Sequence, residues 1–145
     1  MNTTSSPFQV YNASAGSGKT FTIVKQYLSI LLKANRLDYY KNILAITFTN
    51  KAVGEMKSRI VNSLKDFAEE ETPSKSLALF AEIQKETGLS EEEIKSKSHL
   101  ILRSILHNYA AFDVSTIDGF THRVLRTFAK DLGLPINFEV ELNTV

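Results

Sequence analysis

Residues 13–20 read Ala-Ser-Ala-Gly-Ser-Gly-Lys-Thr and carry the most specific chemistry in the chain. A loop that binds phosphate turns successive backbone N–H groups inward around an anion, a path open to glycine and small residues. Ala15, Gly16, Ser17 and Gly18 supply them. Lys19 is then placed to reach the β- and γ-phosphates of a nucleoside triphosphate, and the Thr20 hydroxyl to ligate Mg2+. A helix opening near Thr20 points the positive end of its dipole at the same place. The general pattern Gly-x-x-x-x-Gly-Lys-Ser/Thr opens here with Ala13 in place of glycine. The competing reading is a Ser/Gly-rich turn ahead of an ordinary helix. The strand before and the amphipathic helix after favour the phosphate loop, so nucleotide binding is expected. Such a loop alone names no reaction.

A second group follows the apolar run Ile43-Leu-Ala-Ile46: Thr47, Phe48, Thr49, Asn50 and Lys51. They sit at the C-terminal end of a predicted strand, where open α/β sheets bind ligands. An aromatic ring, two hydroxyls, an amide and a cation suit a single nucleic-acid strand, with Phe48 stacking a base and the others holding phosphate. The alternative places Phe48 in the core. Glu55 and Arg59 are spaced to pair with each other along a helix. A third group lies in Val-Ser-Thr-Ile-Asp-Gly-Phe-Thr-His-Arg-Val-Leu-Arg, residues 114–126. Asp118 is well placed there to cap a helix. Arg123 and Arg126 are backbone contacts or solvated helix residues. His99 and His107 lack metal-ligand spacing.

The elements that must position these groups alternate. Phe8 to Ala13 reads as a strand. From Thr20, Phe21, Val24, Leu28 and Leu31, widened by Ile23, Tyr27 and Leu32, mark a helix. Ile43–Phe48, apolar on both faces, suits a central parallel strand covered on two sides. Val53, Met56, Ile60, Leu64 and Phe67 mark the next helix. Thr72-Pro73 opens another, with Gly88 as its stop. Ser90 and Glu93 match a capping box, followed by Ile94, Ile101, Leu102, Ile105 and Tyr109 at helical spacing. Phe112–Ile117 resembles a strand. A helix then spans about Asp118 to Asp131, closed by Gly133 and Pro135, and Phe138–Leu142 alternates without an assigned partner. The expected fold is α/β, an open parallel sheet flanked by helices. Its parts are a phosphate-loop βαβ unit at 1–66, a helical insertion at 67–111, and a strand–helix segment with the start of the next at 112–145.

Composition narrows the class. The 145 residues are 43% apolar, enough to bury a core, and contain no cysteine, which removes disulfides, thiolate zinc sites and iron–sulfur clusters. No apolar run approaches the roughly 20 residues of a membrane span, and no secretory signal opens the chain. A soluble, cytoplasmic protein with no membrane partner is expected. The formal charge of +1 averages two unlike regions. Residues 66–93 hold nine acids against two lysines, net −7, and the remainder is net +8. The acidic run reads as a solvated helical face, and the basic remainder leaves room for nucleic acid.

ASAGSGKT followed by ILAITFTNKAVGEMKSRI (43–60) resembles motifs I and Ia of the UvrD/Rep-type superfamily-one DNA helicases, nearest the RecB/AddA helicase–nuclease branch. VSTIDGFTHRVLR resembles their motif Ib. The resemblance covers about residues 8–66 and 112–140. It implies a RecA-like P-loop NTPase sheet, ATP and Mg2+ as cofactors, and single-stranded DNA against Phe48, Thr49, Asn50 and Lys51, with Thr47 beside them. It also implies DNA-backbone contacts from Thr116 and Arg123, in a stretch that includes Asp118 and His122. Many relatives carry histidine where Asp118 stands, and an aspartate repels phosphate.

Hydrolysis by such a motor needs a Walker B Asp-Glu pair, and no Asp-Glu dipeptide occurs in the chain. Ala110–Asp113 is the nearest imitation, but Val114 follows. No glutamine motif is evident either; Gln9 falls in the predicted strand. The expectation is an N-terminal excerpt of a longer ATP-dependent DNA helicase of recombination or repair, binding nucleotide without turning it over. Its partners would be single-stranded DNA or a duplex–single-strand junction, the downstream motor domains of the same chain, and a helicase–nuclease partner protein. The alternatives are a small phosphate-loop kinase, although 67–111 holds only Arg103 for a lid, and a non-catalytic nucleotide-binding adaptor.

Overall fold

A computed structural model of the protein describes residues 8, 10, 11, 18–135 and 138. Helix α1 (Lys19–Lys33) leads through a short 3-10 turn to strand β1 (Ala45–Thr47) and helix α2 (Asn50–Ala68). Helices α3 (Leu77–Thr87) and α4 (Glu91–His107) follow, then strand β2 (Val114–Thr116) and helix α5 (Ile117–Thr127). The class is α/β, mostly helical around a small sheet. β1 and β2 pair in parallel, with Ala45 opposite Val114, Ile46 opposite Ser115 and Thr47 opposite Thr116. Parallel neighbours require a long crossover, and α2, α3 and α4 form it.

The apolar spacing read from the sequence becomes one core. Met56, Ile60, Leu64 and Phe67 of α2 meet Ile94, Ile101 and Ile105 of α4, and α1 adds Val24, Tyr27, Leu28, Leu31 and Leu32. Phe112, fully buried just ahead of β2, takes edge-on contacts from Tyr27, Tyr40 and Tyr109, with ring centroids 5.9, 6.5 and 5.8 Å away. The Lys57 ammonium lies 5.5 Å from the Phe112 centroid. Polar ties lock the same region. Tyr40 Oη donates to Ser104 O at 2.9 Å, and Lys97 Nζ donates to Leu32 O at 2.7 Å, placing a cation on the carbonyl end of α1.

One helix stop and one helix start follow the predicted chemistry. Gly88 adopts φ 72°, a left-handed value that favours glycine, and ends α3. Ser90 and Glu93 form both bonds of the capping box, Glu93 N to Ser90 Oγ at 3.2 Å and Ser90 N to Glu93 Oε2 at 2.8 Å.

Elsewhere the structure corrects the expectation. The strand predicted over Ile43–Phe48 is three residues long and is not covered on both sides: Leu44 and Ile46 are 42% and 44% exposed. They border an open groove of about 250 Å³ whose far wall carries Ile23 and Ile30 of α1. The strand predicted over Phe8–Ala13 does not form at Phe8, Val10 or Tyr11, all more than half exposed; Gln9, Asn12 and Ala13 lie outside the described residues. No helix opens at Thr72-Pro73, because Pro73 is extended (ψ 143°) and a 3-10 turn at Ser74–Ser76 precedes α3. Tyr109 falls beyond α4 in a further 3-10 turn. Helix α5 stops at Thr127 rather than Asp131, and successive turns carry the chain to Gly133, at φ 68°. Of Phe138–Leu142, Phe138 alone is described, and its ring packs against His122.

The acidic run is also less solvated than expected. Glu82 and Glu86 hold Lys25 of α1 at 3.2 and 3.6 Å, and the Glu82 hydrogen bond raises the lysine's pKa despite partial burial. Asp66 is buried, accepting from Ser76 Oγ at 2.6 Å and pairing with Lys75 at 3.1 Å. Burial pushes its carboxyl up, but Ser76 and Lys75 outweigh that and the pKa falls below the ordinary value. A carboxyl lowered on folding contributes stability above its unfolded pKa and loses it as pH drops through the folded one. Asp66→Asn is therefore expected to cost about 1 kcal/mol at pH 7 and progressively less as the pH is lowered below the ordinary carboxylate range, in urea titrations of the two proteins across that range.

Candidate nucleotide and nucleic-acid site

The nucleotide end begins at Gly18. Ala13, Ala15, Gly16 and Ser17 lie outside the described residues. Gly18 is the N-cap of α1 with φ 80°, a left-handed value that favours glycine, and no described residue would crowd a Cβ there. Among the described residues no side chain caps this 15-residue helix, and its first turn has no acid to compete with an anion. Lys19 and Thr20 are both exposed in that turn. An ammonium, a hydroxyl and an uncapped helix N-terminus fit a polyphosphate and its cation.

The second end is built by strand register. Thr47 and Thr116 are paired positions at the ends of β1 and β2, about 4.8 Å apart as neighbouring strands are. Each strand turns almost at once into a helix, so the N-termini of α2 and α5 stand close together. Thr49 caps α2 by accepting from Ala52 N at 3.1 Å, and Thr47 Oγ1 donates to Thr49 O at 3.2 Å. Phe48 projects between them with 87% of its surface exposed, which excludes the core reading. Asn50 and Lys51 are exposed in the first turn of α2. The two ends are near each other: Thr22, one turn into α1, and Thr47 line the same groove.

The cap of α5 is Thr116, which accepts from Gly119 N at 3.0 Å; Asp118, expected as the cap, sits exposed in the first turn instead. The capping oxygen must lie one residue outside the helix, and α5 starts earlier than the sequence suggested. A Cβ at Gly119 would stand 3.1 Å from Thr116 Oγ1, so the first turn of α5 closes tightly on its cap. Arg126 is exposed. Arg123 reaches Asp113 and Ser115, a grouping that helical or strand periodicity does not reveal because it joins two elements. Nearby, burial pushes the Tyr27 phenol up and the Asp113 charge adds to it, while its hydroxyl has no hydrogen-bond partner among the described residues. His99 and His107 are exposed, and no three-residue cluster suited to a metal ion occurs among the described residues.

Comparison with known proteins shows the family. Residues 1–144 match the UvrD/REP helicase N-terminal domain. The chain is 37% identical over 115 residues to the RecBCD enzyme subunit RecB of Chlamydia trachomatis serovar D, an alignment covering 74% of this chain and 10% of that protein. It is 30% identical over 142 residues to the RecB subunit of Haemophilus influenzae, covering 88% and 11%. It is also 30% identical over 129 residues to an ATP-dependent helicase/nuclease subunit of Streptococcus suis, covering 89% and 8%. The chain thus spans about a tenth of the length of these relatives. No solved structure matches it. With a match that spans residues 1–144, the chain belongs to the UvrD/REP helicase N-terminal domain family.

Proposed function

We propose that this chain is the ATP-binding part of the first motor domain of an ATP-dependent DNA helicase, one that translocates on single-stranded DNA and unwinds duplexes in recombination or repair. The observation that carries it is the pairing of Thr47 with Thr116. That register brings two helix N-termini and an exposed aromatic to one edge, within a groove's width of the α1 end bearing Lys19 and Thr20. Backbone amides, hydroxyls and Lys51 suit phosphates, and Phe48 suits a base. In this reading Thr47, Phe48, Thr49, Asn50, Lys51 and Thr116 hold the DNA strand. Residues 15–20 hold the nucleotide, with Lys19 on the phosphates and Thr20 toward Mg2+.

ATP with Mg2+, when bound, supplies the phosphoryl-transfer chemistry. The chain's own part is to orient the phosphates at α1 and to grip the strand at β1 and β2. The exposed apolar face of Leu44 and Ile46, opposite Ile23 and Ile30, suits cover by further strands of a P-loop NTPase sheet. In this reading 1–66 and 112–145 form the motor unit, 67–111 is its helical insertion, and downstream domains of the same chain complete the catalytic set. A helicase–nuclease complex supplies the further partner, and the cytoplasm is the compartment.

The test is Phe48→Ala in the full-length protein. Stacking on one aromatic is worth about 1–3 kcal/mol, so affinity for a single-stranded oligonucleotide should fall by about 5- to 150-fold, measured by fluorescence anisotropy across a salt series. The fold should not weaken, because Phe48 packs against little. Unchanged affinity removes the grip from this loop.

A further inference from the structure

Arg123 does not face the strand ends. Its Nη2 lies 2.8 and 3.0 Å from the two Asp113 carboxylate oxygens and donates to Ser115 Oγ at 3.2 Å. Asp113 immediately precedes β2, three residues and about 10 Å of strand before Thr116. The guanidinium is therefore held toward the start of β2, away from the edge that carries Thr47, Phe48 and Thr116. Both anchoring residues are tied to the sheet: Ser115 of β2 is buried opposite Ile46, and the Asp113 carbonyl accepts from Ala45 N at 3.1 Å.

We propose that Arg123 is a positioning residue for the single-strand grip: by tying α5 to Asp113 and Ser115 it fixes the angle at which α5 leaves Thr116, and it does not itself touch phosphate. The tight approach of Gly119 to the Thr116 hydroxyl makes that angle consequential, since a small rotation of α5 either opens the cap or drives the helix into it. The pair is half exposed and adds little to global stability, so its effect falls on local geometry. The proposal rests on the reading that this edge binds single-stranded DNA.

The test uses the full-length protein and a single-stranded oligonucleotide, below the melting temperature of every variant. Arg123→Gln and Asp113→Asn should each weaken binding by about fivefold. Neither should change the slope of log affinity against log salt. The exchanged pair Asp113→Arg with Arg123→Asp should restore most of the loss. In DNA-stimulated ATP hydrolysis, the half-saturating DNA concentration should rise while the maximal rate holds. A phosphate ligand behaves differently: Arg123→Gln would lower the salt slope by about 0.7, and Asp113→Asn, by freeing the arginine, would tighten binding. That outcome overturns the proposal. So does unchanged affinity in both single variants while the unaltered protein binds. Failure of the unaltered protein to bind at all overturns the grip reading itself, and the proposal with it.

Discussion

Lys19→Ala in the full-length protein is expected to lower ATP turnover by about 100- to 1,000-fold, the scale of removing one preorganised charge partner from a developing anion. The lysine opens α1 beside a left-handed glycine, with no acidic neighbour in the first turn and no side-chain cap among the described residues. Nothing in that arrangement replaces its charge once it is gone. The substitution should leave the fold intact, since Lys19 is exposed and alanine is a better helix former. Phosphate-release kinetics alongside thermal melting separate the two effects. Retained turnover with an unchanged melting curve would put the phosphates elsewhere.

Phe112→Ala should be the most damaging single change to stability, at about 3–5 kcal/mol. Its ring is fully buried and receives edges from three tyrosines on separate parts of the chain, with the Lys57 ammonium over it. Truncation leaves a cavity among rings that cannot close in without breaking the Tyr40–Ser104 hydrogen bond. Against a typical total of about 5–15 kcal/mol, the loss is a large share of the domain's stability. A denaturant titration of the variant should show a markedly lower midpoint. Phe112→Leu, which keeps most of the volume, should be much milder.

The helices were legible because their apolar faces repeat at helical spacing and their ends carry local signals. Met56, Ile60, Leu64 and Phe67, the Ser90–Glu93 box and Gly88 need no distant information. The strands were legible in place but not in extent. Their length depends on what pairs and covers them, and at Leu44 and Ile46 the cover is missing. The motif residues Thr47 and Thr116 were legible singly, whereas their juxtaposition depends on a register that no local pattern encodes. Arg123 illustrates the same limit. Its type left a backbone contact and a solvated helix position both open, and its bond to Asp113, just ahead of β2, depends on how α5 packs on the sheet. Asp66 looked like one more solvated acid because burial is a property of the whole packing, here of Ser76 folding back across α2.

The parallel pairing of β1 with β2 has a consequence for the order in which the chain acquires structure. Two three-residue strands meet only after three intervening helices have brought them together. Closing so long a loop for so few backbone bonds is entropically unfavourable until α2 and α4 have docked. Docking of α2 and α4 is thus expected to template the β1–β2 edge. Hydrogen exchange should show the amides of β1 and β2 protected later in refolding than those of α2 and α4.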